Sequence, residues 1–346
     1  MSETALHAHL VARGALHADD RGVMLPRHFG DPEAEYRALT RGAATIDLGF
    51  RTLVRAVGPD RASFLQGMLT NDVERLTPGT GCAALLLTIQ GRVTADVRVA
   101  ALAAELLLDV DVRARDDFVA ALEALLVADD VELAPAEATA LIAVDGPDAT
   151  GLLGLGDVAP FRHVEAVVGE VAVRAVRASE VCGTGFVLHV PDGRAPVVWD
   201  ALVAAGARPC GMDAVEGRRV EVGVPRIGVD MGAKTLALEV PVEDAISTTK
   251  GCYLGQEVVA RGTARGHVNR RLVPLLLAGP MPAPGSPLLR DGKDVGQLTS
   301  VGHAFGAGTL AALGFVRREH WEPGTELAVG DGHAATVARV AAWPLA

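Results

Sequence analysis

Short apolar segments separated by glycine, proline and aspartate run through the first third of this chain, and their periods predict both strands and helices. A strand at 52–57 leads to the turn Gly58-Pro59-Asp60, and the apolar residues of 62–69 have the spacing of a helix. The remaining elements predicted for this unit are three strands and a helix, at 82–88, 93–100, 106–110 and 116–126. This order indicates an α+β layer with an antiparallel sheet.

The same order begins again near residue 138. A strand at 140–144 precedes Gly146-Pro147-Asp148, which repeats the earlier turn, and this echo indicates an internal duplication. The further elements predicted here are two strands and two helices, at 171–176, 185–189, 195–205 and 213–222.

From residue 266 onward the pattern changes to short strands between turns, which is typical of a small barrel. These strands are predicted at 272–277, 295–301, 309–315, 326–329 and 334–339. The first 28 residues carry four histidines and little apolar periodicity, and we interpret them as a segment packed on the surface. The predicted organisation is an N-terminal arm (1–28), two α+β units (29–137 and 138–265) and a barrel (266–346).

Composition supports a globular chain of several domains. At 346 residues the chain exceeds the usual size of one hydrophobic core, and 49% of its residues are hydrophobic. No apolar stretch approaches the ~20 residues of a membrane helix, and the chain start lacks a basic region followed by an apolar one. We therefore expect a soluble cytoplasmic protein without a membrane partner. The net charge of −11 argues against direct binding of nucleic acid.

The four cysteines stand far apart, so local spacing predicts no metal site, neither for zinc nor for an iron–sulfur cluster. They are Cys82, Cys182, Cys210 and Cys252.

The segment Lys250-Gly251-Cys252-Tyr253-Leu254-Gly255-Gln256-Glu257 gathers a thiol, an ammonium, an amide and a carboxylate around two glycines. Such crowding beside adaptable backbone indicates a site. The alternative is a helix start that contains glycines and a buried cysteine. Lysine occurs only three times in the chain, so a lysine at this position indicates that the site requires an ammonium group. The alternative is a solvated side chain at the edge of a loop.

This segment, continued by Val258-Val259-Ala260-Arg261, resembles the signature of the YgfZ family of folate-binding proteins. These proteins are relatives of the glycine-cleavage T-protein and are implicated in maintaining iron–sulfur enzymes, including those that methylthiolate tRNA. Segments 64–73, 221–226 and 295–300 also resemble segments of the family. The resemblance implies an α+β fold, with a T-protein-like three-domain arrangement around a folate pocket and a small C-terminal β-barrel.

The resemblance also implies residues that bind tetrahydrofolate. Glu221 is expected to hold the pterin ring, since one carboxylate can accept two N–H groups at once. The alternative for Glu221 is a salt bridge at the helix end with Arg218 or Arg219. Arg226, which follows a stiff proline, is expected to assist the ligand or close the pocket, with a solvated position as the alternative.

Asp96 aligns with the T-protein aspartate that is thought to assist aminomethyl transfer, so it is expected both to contact folate and to act in catalysis. Its alternative is a strand residue that faces solvent.

Cys252 is expected to act as a thiolate whose pKa is lowered by Lys250 and by a helix start. Tyr253, Gln256 and Arg261 complete the expected folate contacts. Basic residues of the segment 261–271 are expected near the folate tail.

Three functions follow from the resemblance. The favoured one is tetrahydrofolate-dependent support of iron–sulfur cluster assembly or repair, including for tRNA methylthiolation, with client or assembly proteins as partners. The second is an aminomethyltransferase of glycine cleavage, which acts through Asp96 and needs a lipoylated carrier protein. The third is folate-dependent one-carbon transfer from another methylated amine. The sequence leaves open whether the protein turns over a substrate.

Overall fold

The computed structural model describes residues 1–136, 138–181, 183–266, 268–330 and 336–345. Cys182 and residues 334 and 335 of the last predicted strand therefore lie outside the described residues. Within the described part of the chain, no helix has both the length and the apolar character needed to cross a bilayer.

The described chain folds into twenty strands and eight α-helices. The strands are β1 Ser2–Glu3, β2 Leu16–Asp20, β3 Val23–His28, β4 Ala44–Asp47, β5 Arg51–Val57, β6 Gly81–Leu87, β7 Val93–Ala101, β8 Leu106–Asp111, β9 Glu132–Pro135, β10 Thr139–Asp145, β11 His163–Val168, β12 Val171–Val176, β13 Gly185–Pro191, β14 Arg208–Pro209, β15 Arg270–Ala278, β16 Pro287–Arg290, β17 Lys293–Ala304, β18 Thr309–Arg317, β19 Glu326–Val329 and β20 Val337–Val340. The helices are α1 His7–Ala12, α2 Pro32–Arg41, α3 Arg61–Met68, α4 Arg115–Glu123, α5 Ala149–Leu152, α6 Ala195–Ala204, α7 Met212–Val222 and α8 Gln256–Arg265.

The first α+β unit has the predicted antiparallel sheet. Its five strands are ordered β6-β7-β8-β5-β9, and all neighbouring pairs run antiparallel. Helices α3 and α4 bury Phe64, Leu65, Phe118 and Leu122 against this sheet. The alternating apolar positions of β5 and β7 therefore define one face that packs on helices and one face that turns inward.

The second unit repeats this connectivity. Its six strands are ordered β11-β12-β13-β10-β4-β14, so that β10 lies beside β13 as β5 lies beside β8. Both Gly58 and Gly146 adopt a positive φ directly after the first strand of their unit. Such a backbone favours glycine, which explains why the same turn sequence recurs.

The two sheets pack against each other through their inward faces. Leu53 and Leu107 of the first sheet meet Leu141, Ala143 and Val187 of the second in one hydrophobic cluster, the inter-sheet core. Side chains at both ends of this core line cavities.

The C-terminal strands form the predicted barrel, which is closed in the order β15-β18-β17-β16-β19-β20. The sequence pattern missed β16, which has only four residues. Helix α7 packs against β17 and so connects the barrel to the second unit.

The N-terminal segment does more than pack on the surface. Strands β1, β3 and β2 form a three-stranded sheet, and Leu6 and Leu10 beside it are buried in the core of the second unit. Leu6 precedes the six-residue helix α1 and Leu10 lies on it, and two such positions give too short a pattern to be recognised in the sequence. The domain boundaries themselves stay a prediction.

Candidate functional site

A small charged cavity lies at one end of the inter-sheet core, where both sheets meet α7 and the loop after it. Its volume is about 60 Å³. It is lined by Phe50, Arg51, Asp96, Arg98, Asp111, Glu180, Met212, Val215, Arg219, Val224, Pro225, Arg226 and Ile227. We call this space the charged cavity.

Two carboxylate oxygens of the cavity wall lack a hydrogen-bond partner among the described residues. One is Oε1 of Glu180, which lies 2.5 Å from Nη1 of Arg98 as an ion pair, and the other belongs to Asp96. Its Oδ2 accepts a hydrogen bond of 2.9 Å from Nη1 of Arg51. Its Oδ1 is buried and has no hydrogen-bond partner among the described residues. Burial raises the pKa of Asp96, but Arg51 and Arg98 lower it by more, so that the carboxyl is ionised at neutral pH. The cavity therefore presents a charged acceptor that lacks a donor.

Arg51 is anchored so that it can orient Asp96. Its Nε donates to Oδ1 of Asp109 at 2.6 Å, and its Nη2 donates to the carbonyl oxygen of the same residue at 2.9 Å. Arg98 lies 2.5 Å from Oε1 of Glu180 and 3.4 Å from Oδ2 of Asp109. Acids and arginines thus alternate across the junction of the two sheets, and each arginine of this group is neutralised.

Arg226 separates the charged cavity from a neighbouring groove. Its guanidinium bonds to Glu216 and, at 2.7 Å, to Asp20, and it lies over the ring of Phe50. The neighbouring groove, with a volume of about 480 Å³, shares Arg226 and Met212 with the charged cavity. We call it the N-terminal groove because β2 and β3 supply part of its wall. The expectation that Arg226 assists the ligand or closes the pocket stays a prediction.

Glu221 does not lie in the charged cavity, and this corrects the expectation that it holds a pterin. It is buried, and its oxygens accept from the hydroxyl of Tyr36 at 2.6 Å and the amide of Gly306 at 3.0 Å. Arg218 adds a longer contact of 3.3 Å. Glu221 therefore ties α2 and the barrel to α7, and the salt bridge with Arg218 was the better of the two interpretations.

Lys250 has a structural role that the sequence did not indicate. Its Nζ donates to the carbonyl oxygens of Gln66, Leu69 and Asn71 at 2.5, 2.6 and 2.9 Å. Burial lowers the pKa of the ammonium to about 8, so it remains mostly charged at neutral pH. All three donors are used at the C-terminal end of α3, which corrects the expectation that Lys250 serves the thiol of Cys252.

The other signature residues lie away from the charged cavity, some exposed and one buried. Cys252 is exposed, which removes the alternative of a buried cysteine. Tyr253 is buried in a hydrophobic cluster beneath Lys250, and Gln256 begins α8. Arg261 is exposed and pairs with Glu257. None of these four residues lines the charged cavity, so the structure brings together only Asp96 and Arg226 of the predicted folate contacts.

The basic segment 261–271 is also dispersed. Arg270 pairs with Glu239 and lies over Phe315, whereas Arg271 lies over Trp321. The described arginines of this segment therefore form no single patch.

Sequence reasoning missed five charged residues of the charged cavity, namely Arg51, Arg98, Asp111, Glu180 and Arg219. One available signal was Asp109, which interrupts the apolar strand β8 and is buried. A carboxylate inside such a strand requires a cationic partner.

Two family models match the chain. The model described as "GCVT N-terminal domain" matches residues 6–250, and the model described as "CAF17, C-terminal beta-barrel domain" matches residues 269–345.

Similar proteins agree with these matches. An aminomethyltransferase of Thermus thermophilus is 31% identical over 312 residues, which cover 88% of each chain. A chloroplastic protein of Arabidopsis thaliana, named as a transferase, is 30% identical over 321 residues, or 90% of this chain and 74% of that protein. Among solved structures, the glycine cleavage system aminomethyltransferase T from Bartonella henselae has a TM-score of 0.90 at 20% identity, and the match covers 100% of this chain and 98% of that chain. The predicted T-protein-like fold is therefore confirmed.

Proposed function

This chain belongs to the GCVT family, the aminomethyltransferase relatives, with a C-terminal barrel of the CAF17 type, and on that premise we propose that it binds tetrahydrofolate at the charged cavity. The observation that carries the proposal is the buried Oδ1 of Asp96, which lacks a hydrogen-bond donor. A pterin ring offers N–H and amino donors along one edge, and an ionised acceptor forms strong hydrogen bonds with such groups. The narrower assignment to YgfZ stays a prediction.

The size of the charged cavity sets a condition on this binding. About 60 Å³ has room for roughly two waters and not for a two-ring pterin. Displacement of the Arg226 side chain would join the cavity to the N-terminal groove, whose volume of about 480 Å³ is in the range of small-molecule sites. We therefore include in the proposal that Arg226 leaves Asp20 and Glu216 when folate binds.

The affinity for tetrahydrofolate tests this part of the proposal. Asp96→Asn keeps the shape of the side chain and removes its charge, and we expect it to weaken binding by roughly 10- to 100-fold, as for a lost charge-assisted hydrogen bond. Asp116→Asn is the control, because Asp116 is an exposed aspartate of the same unit. Equal affinity in both variants, measured by calorimetry, would exclude Asp96 as the folate acceptor.

We further propose that the folate-bound protein supports iron–sulfur cluster assembly or repair and that Cys252 contacts the client. Exposure of the thiol on the signature loop supports this role. The test is tRNA methylthiolation in a bacterial host that lacks its own protein of this kind. We expect wild type to restore methylthiolation, Cys252→Ala to fail at matched expression, and Cys82→Ala to rescue because Cys82 is partly buried.

Aminomethyl transfer is the second candidate. The ionised Asp96 supports it, since a carboxylate beside an amine can steer its protonation. This function predicts that tetrahydrofolate and an aminomethylated lipoyl carrier react to give methylenetetrahydrofolate, ammonia and the dihydrolipoyl carrier, an activity lost in Asp96→Asn and unchanged in Cys252→Ala. If that pattern were observed and wild type failed to restore methylthiolation, aminomethyl transfer would replace the iron–sulfur role as the proposed function.

A further inference from the structure

A second and larger groove opens at the other end of the inter-sheet core. Its volume is about 700 Å³, and it shares no lining residue with the charged cavity. Strand β5 places Arg51 in the charged cavity, Leu53 in the core and Arg55 in this groove. Four residues of strand separate the two arginines by about 13 Å. We call this space the inter-sheet groove.

The walls of the inter-sheet groove combine polar and apolar surface. The apolar part includes Leu53 and Leu107 from the first sheet and Val173, Val190 and Pro191 from the second. Such walls favour a ligand with an apolar body, and the volume is in the range of small-molecule sites.

Two polar side chains of the second sheet have nitrogen atoms that make no hydrogen bond within the described part of the protein. Arg174 and His189 are cross-strand neighbours of β12 and β13. Nη2 of Arg174 donates to Glu165 at 2.5 Å, whereas its Nε is buried and has no hydrogen-bond partner among the described residues. His189 is only 8% exposed, and its Nδ1 also has no partner in the described part of the chain. A buried guanidinium N–H without an acceptor is costly, so this wall needs an acceptor.

The charge of the groove limits what that acceptor can be. Burial lowers the pKa of His189 to about 3, so its imidazole is neutral near pH 7. On the first sheet, Nε of Arg55 donates to Glu105 at 2.6 Å. The two arginines are thus balanced by Glu105 and Glu165, so the groove has no surplus positive charge. A monocarboxylate fits because its oxygens can accept a charge-assisted hydrogen bond from the unpaired Nε of Arg174, whereas the second charge of a dianion would meet no further cation.

We propose that the inter-sheet groove binds a small organic monocarboxylate with an apolar body. Its carboxylate accepts from Nε of Arg174, and His189 contributes a second hydrogen bond. The body lies against Leu53, Leu107 and Val190. The site is separate from the folate site proposed above and does not depend on it.

The test compares two probes that differ in charge alone. 2-Naphthoate and its uncharged analogue 2-naphthamide are titrated against the full chain by calorimetry at pH 7. We expect naphthoate to bind at least ~10-fold more tightly than naphthamide, as for a charge-assisted hydrogen bond to a guanidinium. Protonation of His189 should not change the affinity for naphthoate between pH 6 and 8, because burial lowers the pKa of its imidazole to about 3.

Arg174→Gln should lower the affinity for naphthoate by at least ~10-fold. Arg194→Gln is the matched control, because Arg194 also lies 2.5 Å from a glutamate of the second unit but outside the groove. Should Arg174→Gln fail to fold, His189→Phe, which removes the second hydrogen bond of the carboxylate, replaces it, with at least a ~3-fold loss expected. Equal binding of the two probes, no binding up to 10 mM (about the weakest useful affinity), or full affinity in the folded groove variant would overturn the proposal. Tetrahydrofolate affinity should be the same in Arg174→Gln and wild type.

Discussion

At the scale of single residues, Lys250 shows how a side chain with a reactive group can serve structure. Lys250→Met keeps the length and removes the ammonium, which leaves the carbonyl oxygens of Gln66, Leu69 and Asn71 without this donor. Since unsatisfied buried acceptors cost about 1–3 kcal/mol each and neighbouring groups relax, we expect a loss of roughly 2–4 kcal/mol in the free energy of unfolding. Urea denaturation at pH 7 measures it.

Lys234 provides the control for this prediction, because it is exposed. Lys234→Met should change the free energy of unfolding by less than about 0.5 kcal/mol. If Lys250→Met were as mild as Lys234→Met, the three hydrogen bonds would contribute little, and the interpretation of Lys250 as a reactive group would regain support.

The position of a site residue could be predicted only where the period of its strand or helix determines the direction of its side chain. Asp96 alternates with buried residues of β7 and so faces the inter-sheet side, as the strand pattern allows. On α7 the same reasoning would have separated Arg219 from Glu221, because residues two apart in a helix point in different directions. Arg219 bonds to Glu216 and Asp230, whereas Glu221 meets Tyr36. The resemblance to the family assigned Glu221 to the pterin without regard to the direction of its side chain on α7.

At the scale of elements, the signature loop is held against the first sheet by close backbone contact. Gly255 has φ +82, and a Cβ there would lie 2.5 Å from the carbonyl oxygen of Thr88. Gly255→Ala therefore combines a left-handed backbone with a clash, and we expect it to lower the free energy of unfolding by roughly 2–4 kcal/mol. Thermal unfolding of the variant measures the loss.

Gly251 is the matched position, since a Cβ there meets nothing within 4 Å. Gly251→Ala should change the free energy of unfolding by no more than about 0.5 kcal/mol. A mild effect at Gly255 as well would mean that the loop can lift from the β6–β7 turn, in which case Cys252 would not be held in a fixed position.

Long elements with a clear apolar pattern were predicted from the sequence, and short ones only in part. The strands β5, β6, β7 and β10 have such patterns, and the repeated turns at Gly58 and Gly146 set their order. Among the four-residue strands, β19 was predicted but β16 was not, because four positions are barely enough to show a period. The two-residue strand β14 exists because of its tertiary pairing with β4, which local propensity cannot indicate.

At the scale of the whole molecule, the two α+β units meet through an apolar centre with polar ends. The chain has a net charge of −11, yet the charged cavity gathers four arginines, each with a carboxylate or ion-pair partner. Duplicated sheets that pack face to face produce two such ends. Each end holds a polar atom without a partner among the described residues, Oδ1 of Asp96 at one and Nε of Arg174 at the other.

The pH dependence of stability is also a property of the whole molecule, because the buried side chains of Asp145 and His189 change the free energy of unfolding in opposite directions as pH rises. Asp145 is fully buried at the end of β10, and its Oδ1 has no hydrogen-bond partner within the described residues. Burial, reinforced by the charge of Glu180, raises its pKa from 3.8 to about 7, although Arg98 and hydrogen bonds to Ser179 and Glu180 act in the other direction. The folded state therefore binds more protons than the unfolded state, and the contribution of Asp145 to stability is lost as pH rises from about 4 to 7. His189, with its lowered pKa, has the opposite slope.

Asp145→Asn isolates the contribution of the carboxyl from that of His189, because asparagine resembles the protonated acid. At pH 5 Asp145 is ionised in the unfolded state and protonated in the folded state, so we expect the variant to be more stable than wild type by about 1–2 kcal/mol. At pH 8, where wild type must bury the charge, the variant should be more stable by roughly 3–4 kcal/mol. Urea denaturation at both pH values measures the difference, and Asp148→Asn, at an exposed position three residues away, should show no such change. A constant difference between pH 5 and 8 would mean that Asp145 is ionised in the folded protein throughout, and that Arg98 outweighs its burial.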